Sequence, residues 1–239
     1  MVFVNKRRTW IASYQLNGGD LVEIVNEAVQ TEKFQDNTVL YQDDYYLIVS
    51  KPPGIVTNGE NSLETKLRIY PGYRNLQAVH RLDKNTTGAV LFAKNEEAFH
   101  HMKSLFKKQL VKKVYRAIVK GRVKKDTLTL NSPVRGLKAA SHIKTLKKGL
   151  GVSYIEIEIE TGRLHQIRIH LASVGHPIIG ETEYDRKPIM NSVLRQINRQ
   201  MLHAYHISFP HPYIQKLLTI TADIPADFKQ YLKLLGLEE

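Results

Sequence analysis

The sequence predicts an α+β fold: a mixed, mainly antiparallel sheet flanked by helices. Three observations carry that expectation. Val152 to Glu160 alternates strictly, with Ile155, Ile157 and Ile159 on one face and Glu156, Glu158 and Glu160 on the other, which is the pattern of a half-buried antiparallel strand. Other short apolar runs, such as Tyr45 to Ser50 and Ala89 to Lys94, are bounded by turn residues and are too brief for helices. Helical spacing recurs in few places, and those places lie among strands in no regular alternation with them.

Taken in order, residues 1–29 read as two short strands around Val2, Val4, Leu21 and Ile24, joined by the turn Asn17-Gly18-Gly19-Asp20. They form an appendage that opens directly on a strand, as though another segment preceded it. The polar stretch 30–37 is expected to be a linker, and the main domain occupies 38–239. Tyr45 to Ser50 is a strand ended by Lys51-Pro52-Pro53-Gly54, because neither proline can donate to a ladder. Asn61 to Tyr70 is a short helix with Leu63 and Leu67 on one face. Asn95 caps a second helix, with Glu96 and Glu97 in its first turn and a stripe of Phe99, Met102, Phe106 and Leu110. Val114 to Val119 is a strand carrying Tyr115, and 120–151 holds strands joined by basic loops. After Thr161-Gly162-Arg163 a helix places Ile167, Leu171 and Val174 on one face and closes at Gly175. Residues 186–200 are a helical excursion. Ile207 to Pro210 and Leu217 to Ala222 are strands, and Pro225 starts a terminal helix with Phe228, Leu232 and Leu235 inward.

Composition narrows the function. The 239 residues hold 42% apolar and 24% charged side chains, enough to fold around a large core. No apolar run approaches the ~20 residues of a membrane span, and Met1 to Trp10 is too polar for a secretory leader. The absence of cysteine excludes disulfides, thiolate nucleophiles and zinc ribbons, and fits a reducing, cytoplasmic setting. A formal charge of +12 points to a polyanion partner. The cations cluster, with Lys103, Lys107, Lys108, Lys112, Lys113, Arg116 and Lys120 in one group and Lys138, Lys144, Lys147 and Lys148 in another.

Two stretches carry chemistry. His80-Arg81-Leu82-Asp83-Lys84-Asn85-Thr86-Thr87-Gly88 sets one carboxylate among cations just ahead of an apolar strand. Alone, an Asp in such a loop is more often a turn cap. The second stretch runs from Thr161 to Leu171. Arg163 stands at a strand-to-helix junction, where free N–H groups and a cation together suit phosphate. Arg168 has the apolar neighbours Ile167, Ile169 and Leu171 and therefore requires an acidic partner. The histidines show no helical pair with a glutamate, so no metal site is expected.

These stretches resemble a known family. HRLDKNTTGAVLFAKN resembles the catalytic motif of RluA-type pseudouridine synthases, and TGRLHQIRIHLASVGHPIIGETEYD resembles their third motif. VLYQDDYYLIVSKPPGIVTNG, KKVYRAIVKG and RQMLHAYHISFPHP match in the family's order, so the resemblance spans about residue 38 to the end. VNKRRTWIASYQLNGGDLVEI resembles the second half of an S-four-type RNA-binding domain, without its helical first half.

The resemblance implies isomerisation of uridine to pseudouridine in ribosomal or transfer RNA, ribosomal RNA being favoured, by a monomer needing no cofactor or metal. It places the essential aspartate at Asp83, its arginine partner at Arg168, and a base-stacking tyrosine at Tyr115. Arg81 would assist in flipping the base out of the RNA. His80, Thr87, Lys51, Arg163, His165 and Gln166 would complete the substrate site, with Lys51 and His80 the more structural members. Thr87 stands where serine is commoner, and Leu164 where threonine is commoner. A catalytically idle RNA-binding factor on the same scaffold is the competing reading, and retention of Asp83, Arg168 and Tyr115 together argues against it.

Overall fold

The apolar runs broken by Gly, Pro and Asn become strands in the computed structural model, which describes residues 2–5, 7–9, 15–24, 38–185 and 192–238. The chain divides into two units, Met1–Asp36 and Asn37–Glu239. In the first, β1 (Val2–Val4) pairs antiparallel with both β2 (Arg7–Thr9) and β3 (Val22–Ile24). Arg7–Thr9 is a third strand that its charged residues concealed. Asn5, at a φ of 51°, turns the chain after β1. Its side chain donates to Asp20 at 2.7 Å and accepts the Leu21 N–H at 3.0 Å, which fastens the turn at Asn17–Asp20 to it. The expected linker over 30–37 lies outside the described residues.

The second unit runs β4 (Val39–Gln42), β5 (Tyr46–Lys51), α1 (Leu63–Leu67), β6 (Gln77–Ala78), β7 (Thr87–Ala93), α2 (Glu96–Lys107), β8 (Lys112–Lys120), β9 (Thr127–Leu130), β10 (Ser141–Lys148), β11 (Val152–Ile159), α3 (Gln166–Ser173), α4 (Ser192–Arg195), β12 (Leu202–Pro210), β13 (Leu217–Thr221) and α5 (Ala226–Leu234). The strands form one sheet in the order β4-β5-β7-β12-β8-β11-β10-β9, with β6 on β7 and β13 on β12. Among the described pairings β7–β12 is parallel and the rest are antiparallel. The sheet is therefore mixed and mainly antiparallel. No described helix is long and apolar enough to cross a membrane.

The core forms where strands are apolar on both faces. Every residue of β7 is buried, as are Tyr46 to Val49 of β5, and Ala98 and Met102 of α2 pack on them with Phe209. α2 begins as its residues dictate, with the Asn95 side chain accepting the Ala98 N–H at 2.8 Å. Ser62 and Thr65 close a reciprocal cap at the start of α1. β11 alternates from Ile155 onward, with Ile155, Ile157 and Ile159 buried and Glu156 and Glu158 half-buried, whereas Val152, Ser153 and Tyr154 before it are all buried.

Three expected core positions fall outside the core. Leu110 is 50% exposed because α2 stops at Lys107, and Val174 is 40% exposed because it caps α3 from beyond its last turn. At the C-terminus Leu237 is fully buried and Leu235 only partly. Of the excursion at 186–200, residues 186–191 lie outside the described residues and Ser192–Arg195 is helical.

Candidate active site

Asp83 stands in the loop between β6 and β7, and the chain fastens that loop on both sides. Before Asp83, the Thr57 hydroxyl donates to the Leu82 carbonyl at 3.2 Å and accepts the Leu82 N–H at 3.0 Å. After it, the Lys84 carbonyl accepts from the Gly54 N–H at 3.0 Å and from the Lys51 ammonium at 2.9 Å. Lys51 also donates to the carbonyls of Pro52 at 3.0 Å and Ile55 at 2.8 Å. The two prolines that end β5 thus bend the chain into a cradle that a buried lysine ties to the loop. The Asp83 side chain takes no part in this fastening and is 20% exposed.

Arg168 reaches Asp83 from α3, its Nη1 donating to Asp83 Oδ2 at 3.3 Å. The approach to α3 is shaped by His165, at a φ of 57°, and by the buried amide of Gln166. Gln166 accepts from the Thr161 hydroxyl at 2.7 Å and the Arg163 N–H at 3.1 Å, and donates to the Ala140 carbonyl at 2.8 Å. His165 lies 3.7 Å from Asp83 Oδ1, and its Nδ1 lies 2.8 Å from the Tyr184 hydroxyl.

The acid that Arg168 requires is chiefly Glu181. Nε and Nη2 donate to its two oxygens at 2.7 and 2.9 Å, and Nη2 also reaches Glu183 at 3.1 Å. Glu181 Oε1 further accepts the N–H groups of Thr182 at 3.0 Å and Glu183 at 2.8 Å. Burial opposes both charges of this pair. The mutual hydrogen bonds outweigh it, so Arg168 is raised and Glu181 is held below the usual carboxylate range. The Tyr184 ring covers the guanidinium at 5.1 Å. Glu181, Glu183 and Tyr184, which hold Arg168, were not named from the sequence. The signal was present, since an arginine among apolar neighbours needs acids and Gly180-Glu181-Thr182-Glu183-Tyr184 supplies two.

Tyr115, on β8, is paired across β11 with Ile157 and across β12 with Ala204, and is 7% exposed. Burial, and then the Asp83 carboxylate, push its hydroxyl well above the ordinary tyrosine range. Arg81, Asp83, Tyr115, Arg163, His165, Gln166 and Arg168 all line one pocket of about 210 Å³. Arg163 also donates through Nε to the Lys138 carbonyl at 3.1 Å. Leu164 is part of the same wall.

Three of the expected substrate contacts are spent elsewhere. Lys51 is buried on three carbonyls. His80 accepts the Leu91 N–H through Nε2 at 3.0 Å and stacks on Phe106, and burial together with Lys113 and Lys103 lowers it to about 3. The Thr87 hydroxyl is buried 2.8 Å from His203 Nδ1. Each has a protein partner that ties it to the surrounding strands and loops, and none of the three lines the pocket.

Comparison with known proteins gives consistent results. The family model described as RNA pseudouridylate synthase matches residues 45–173. An uncharacterized RNA pseudouridine synthase of Bacillus subtilis, YhcT, is 34% identical over 80% of this chain and 70% of its own length. Ribosomal large subunit pseudouridine synthase C of Vibrio parahaemolyticus is 32% identical over 100% of this chain and 85% of its own. Among solved structures, human RNA pseudouridylate synthase domain containing 4 superposes with a TM-score of 0.73 at 22% identity, covering 85% of this chain and 94% of that one.

Proposed function

The chain belongs to the RNA pseudouridylate synthase family, and from that premise we propose that it isomerises uridine in large-subunit ribosomal RNA with Asp83 as the group that acts at C1′. The observation that supports the assignment most is the convergence of Asp83, Arg168 and Tyr115, from a loop, a helix and a strand, on one small pocket. Its volume of about 210 Å³ lies below the range for drug-sized ligands and suits a single flipped base. The Vibrio relative's name supports ribosomal RNA over transfer RNA.

The reaction breaks the N1–C1′ bond, turns the uracil, and joins C5 to C1′. The proton leaves C5 and one is gained at N1, so every atom of uridine is retained and no co-reactant is consumed. Cleavage builds positive charge on the sugar. The Asp83 carboxylate meets that charge, by attack at C1′ or by accepting the C2′ proton. Arg168 orients Asp83 through a single hydrogen bond of 3.3 Å. Its Nε and Nη2 are occupied by Glu181 and Glu183, so it steers the carboxylate without sequestering it. The Tyr115 ring forms the surface against which the base lies. Its hydroxyl stays protonated and able to hydrogen-bond through the turn of the base. Arg81, exposed at the pocket mouth, fills the space the base vacates in the RNA.

The test is pseudouridine mapping of total RNA, by chemical marking and reverse transcription, with and without the gene. Loss of one or a few sites in large-subunit RNA is the expected result. An unchanged map would leave the idle RNA-binding reading in its place.

A further inference from the structure

β8 alternates, so Lys113 shares the face of Tyr115 and lies about 7 Å along the strand from it. Across the ladder Lys113 pairs with Ile159, which lines the pocket as Tyr115 does. It is 8% exposed, yet among the described residues its ammonium has one protein acceptor, the Glu160 carbonyl at 3.3 Å, and the Phe106 ring at 5.6 Å. An ammonium carries three donors. Lys51 shows how this protein satisfies a buried lysine, with three carbonyls at 2.8 to 3.0 Å. Lys113 has no such provision among the described residues, and burial lowers it to about 8. Its ring neighbour Phe106 also stacks on His80, whose next residue is Arg81 at the pocket mouth.

We propose that Lys113, together with Arg81, seats the phosphate next to the flipped uridine, so that the RNA backbone supplies the acceptors the buried ammonium lacks. The inference rests on the reading of the pocket as a uridine site and adds to it a substrate contact outside the pocket wall. A phosphate is the chemistry that fits: it is anionic, it brings several acceptor oxygens, and RNA presents one beside every base. Burial makes the contact strong, since a cation held away from water regains most when an anion arrives.

The test uses the whole protein and a [5-³H]uridine-labelled transcript of large-subunit ribosomal RNA, from which C5–C1′ bond formation releases tritium. Wild type, Lys113→Met and Lys113→Gln are compared in kcat, KM and melting temperature, and in RNA retention on filters across a salt series. Both variants are expected to raise KM about tenfold, to keep kcat within about twofold, and to reduce the slope of log affinity against log salt by about 0.7 to 0.9. Lys113→Met is expected to melt no lower than wild type, since an apolar chain replaces an under-coordinated cation. Wild-type KM and salt slope in the variants would overturn the proposal. So would a lowered melting temperature with unchanged KM for the folded fraction, which would make Lys113 a structural post. If wild type itself releases no tritium, the functional reading fails, and the filter salt slopes still decide Lys113.

Discussion

At Arg168 three carboxylates converge on one guanidinium, and they do different things. Glu181 grips it with two short hydrogen bonds, Glu183 adds a partly exposed third, and Asp83 takes one longer contact at 3.3 Å. The arginine is thus anchored by Glu181 and points at Asp83, which makes Glu181 a positioning residue. Removing one side of a buried pair costs up to about 3 to 5 kcal/mol, and less here because Asp83 and Glu183 still face Arg168. Glu181→Gln keeps the shape and loses the charge. We expect kcat to fall at least tenfold with KM little changed, since small misplacements near reacting atoms are costly. Tritium release at saturating RNA measures it, and an unchanged kcat would show that Arg168 is held by other means.

His80 offers a test of pH dependence. Its Nε2 accepts a backbone hydrogen bond and its environment lowers it from 6.5 to about 3. Between those values the unfolded chain binds a proton that the folded chain does not, so stability falls as pH drops through that window. The slope from this group is up to about 1.4 kcal/mol per pH unit. Urea unfolding at pH 5 and pH 7 should show it, and His80→Gln, which can still accept from Leu91, should reduce it, leaving the part that His203, lowered to about 4 by burial, contributes. Equal slopes in the two proteins would contradict the assignment.

Among the elements, the junction of β7 and β12 decides whether the Asp83 loop is presented at all. The pair is parallel, and Gly88 lies opposite Ala204 so closely that a Cβ would stand 2.2 Å from the Ala204 carbonyl oxygen. Gly88 also has a φ of +111°. Both facts require glycine. Gly88→Ala must spread the two strands and move the loop that enters β7, so thermal unfolding should show a loss on the order of 3 kcal/mol or more. A variant as stable as wild type would mean that the strands yield there at little cost. α3 lines the same pocket as the Asp83 loop, through Gln166, Ile167 and Arg168. Its approach depends on Gln166, whose amide bridges Thr161, Arg163 and Ala140.

For the molecule as a whole, a formal charge of +12 and a small, partly apolar pocket describe an enzyme that holds a polyanion by its backbone and treats one base chemically. Much of this was legible from the residues. Alternation at 155–160 marked a strand and its faces, Asn95 marked a helix start, and Arg168 announced its need for an acid. The resemblance carried Asp83 and Tyr115 to their positions, and both line the pocket. What stayed hidden depends on distant contacts. The parallel pairing of β7 with β12 joins residues more than a hundred apart, and no local pattern encodes it. Lys51, His80 and Thr87 stand in motif positions, yet their partners are carbonyls and N–H groups or, for Thr87, the distant His203. Sequence distinguishes a motif residue that supports from one that touches only when its partners are known.

The central claim is that Asp83 performs the chemistry and that RNA binding does not depend on it. The most direct measurement is tritium release and filter retention of the labelled ribosomal transcript by wild type and Asp83→Asn, which preserves the size of the side chain and an oxygen for Arg168. We expect release to fall at least about a thousandfold while the dissociation constant stays within about threefold, since phosphate contacts dominate affinity. An Asp83→Asn protein that still releases tritium at a wild-type rate would contradict the account.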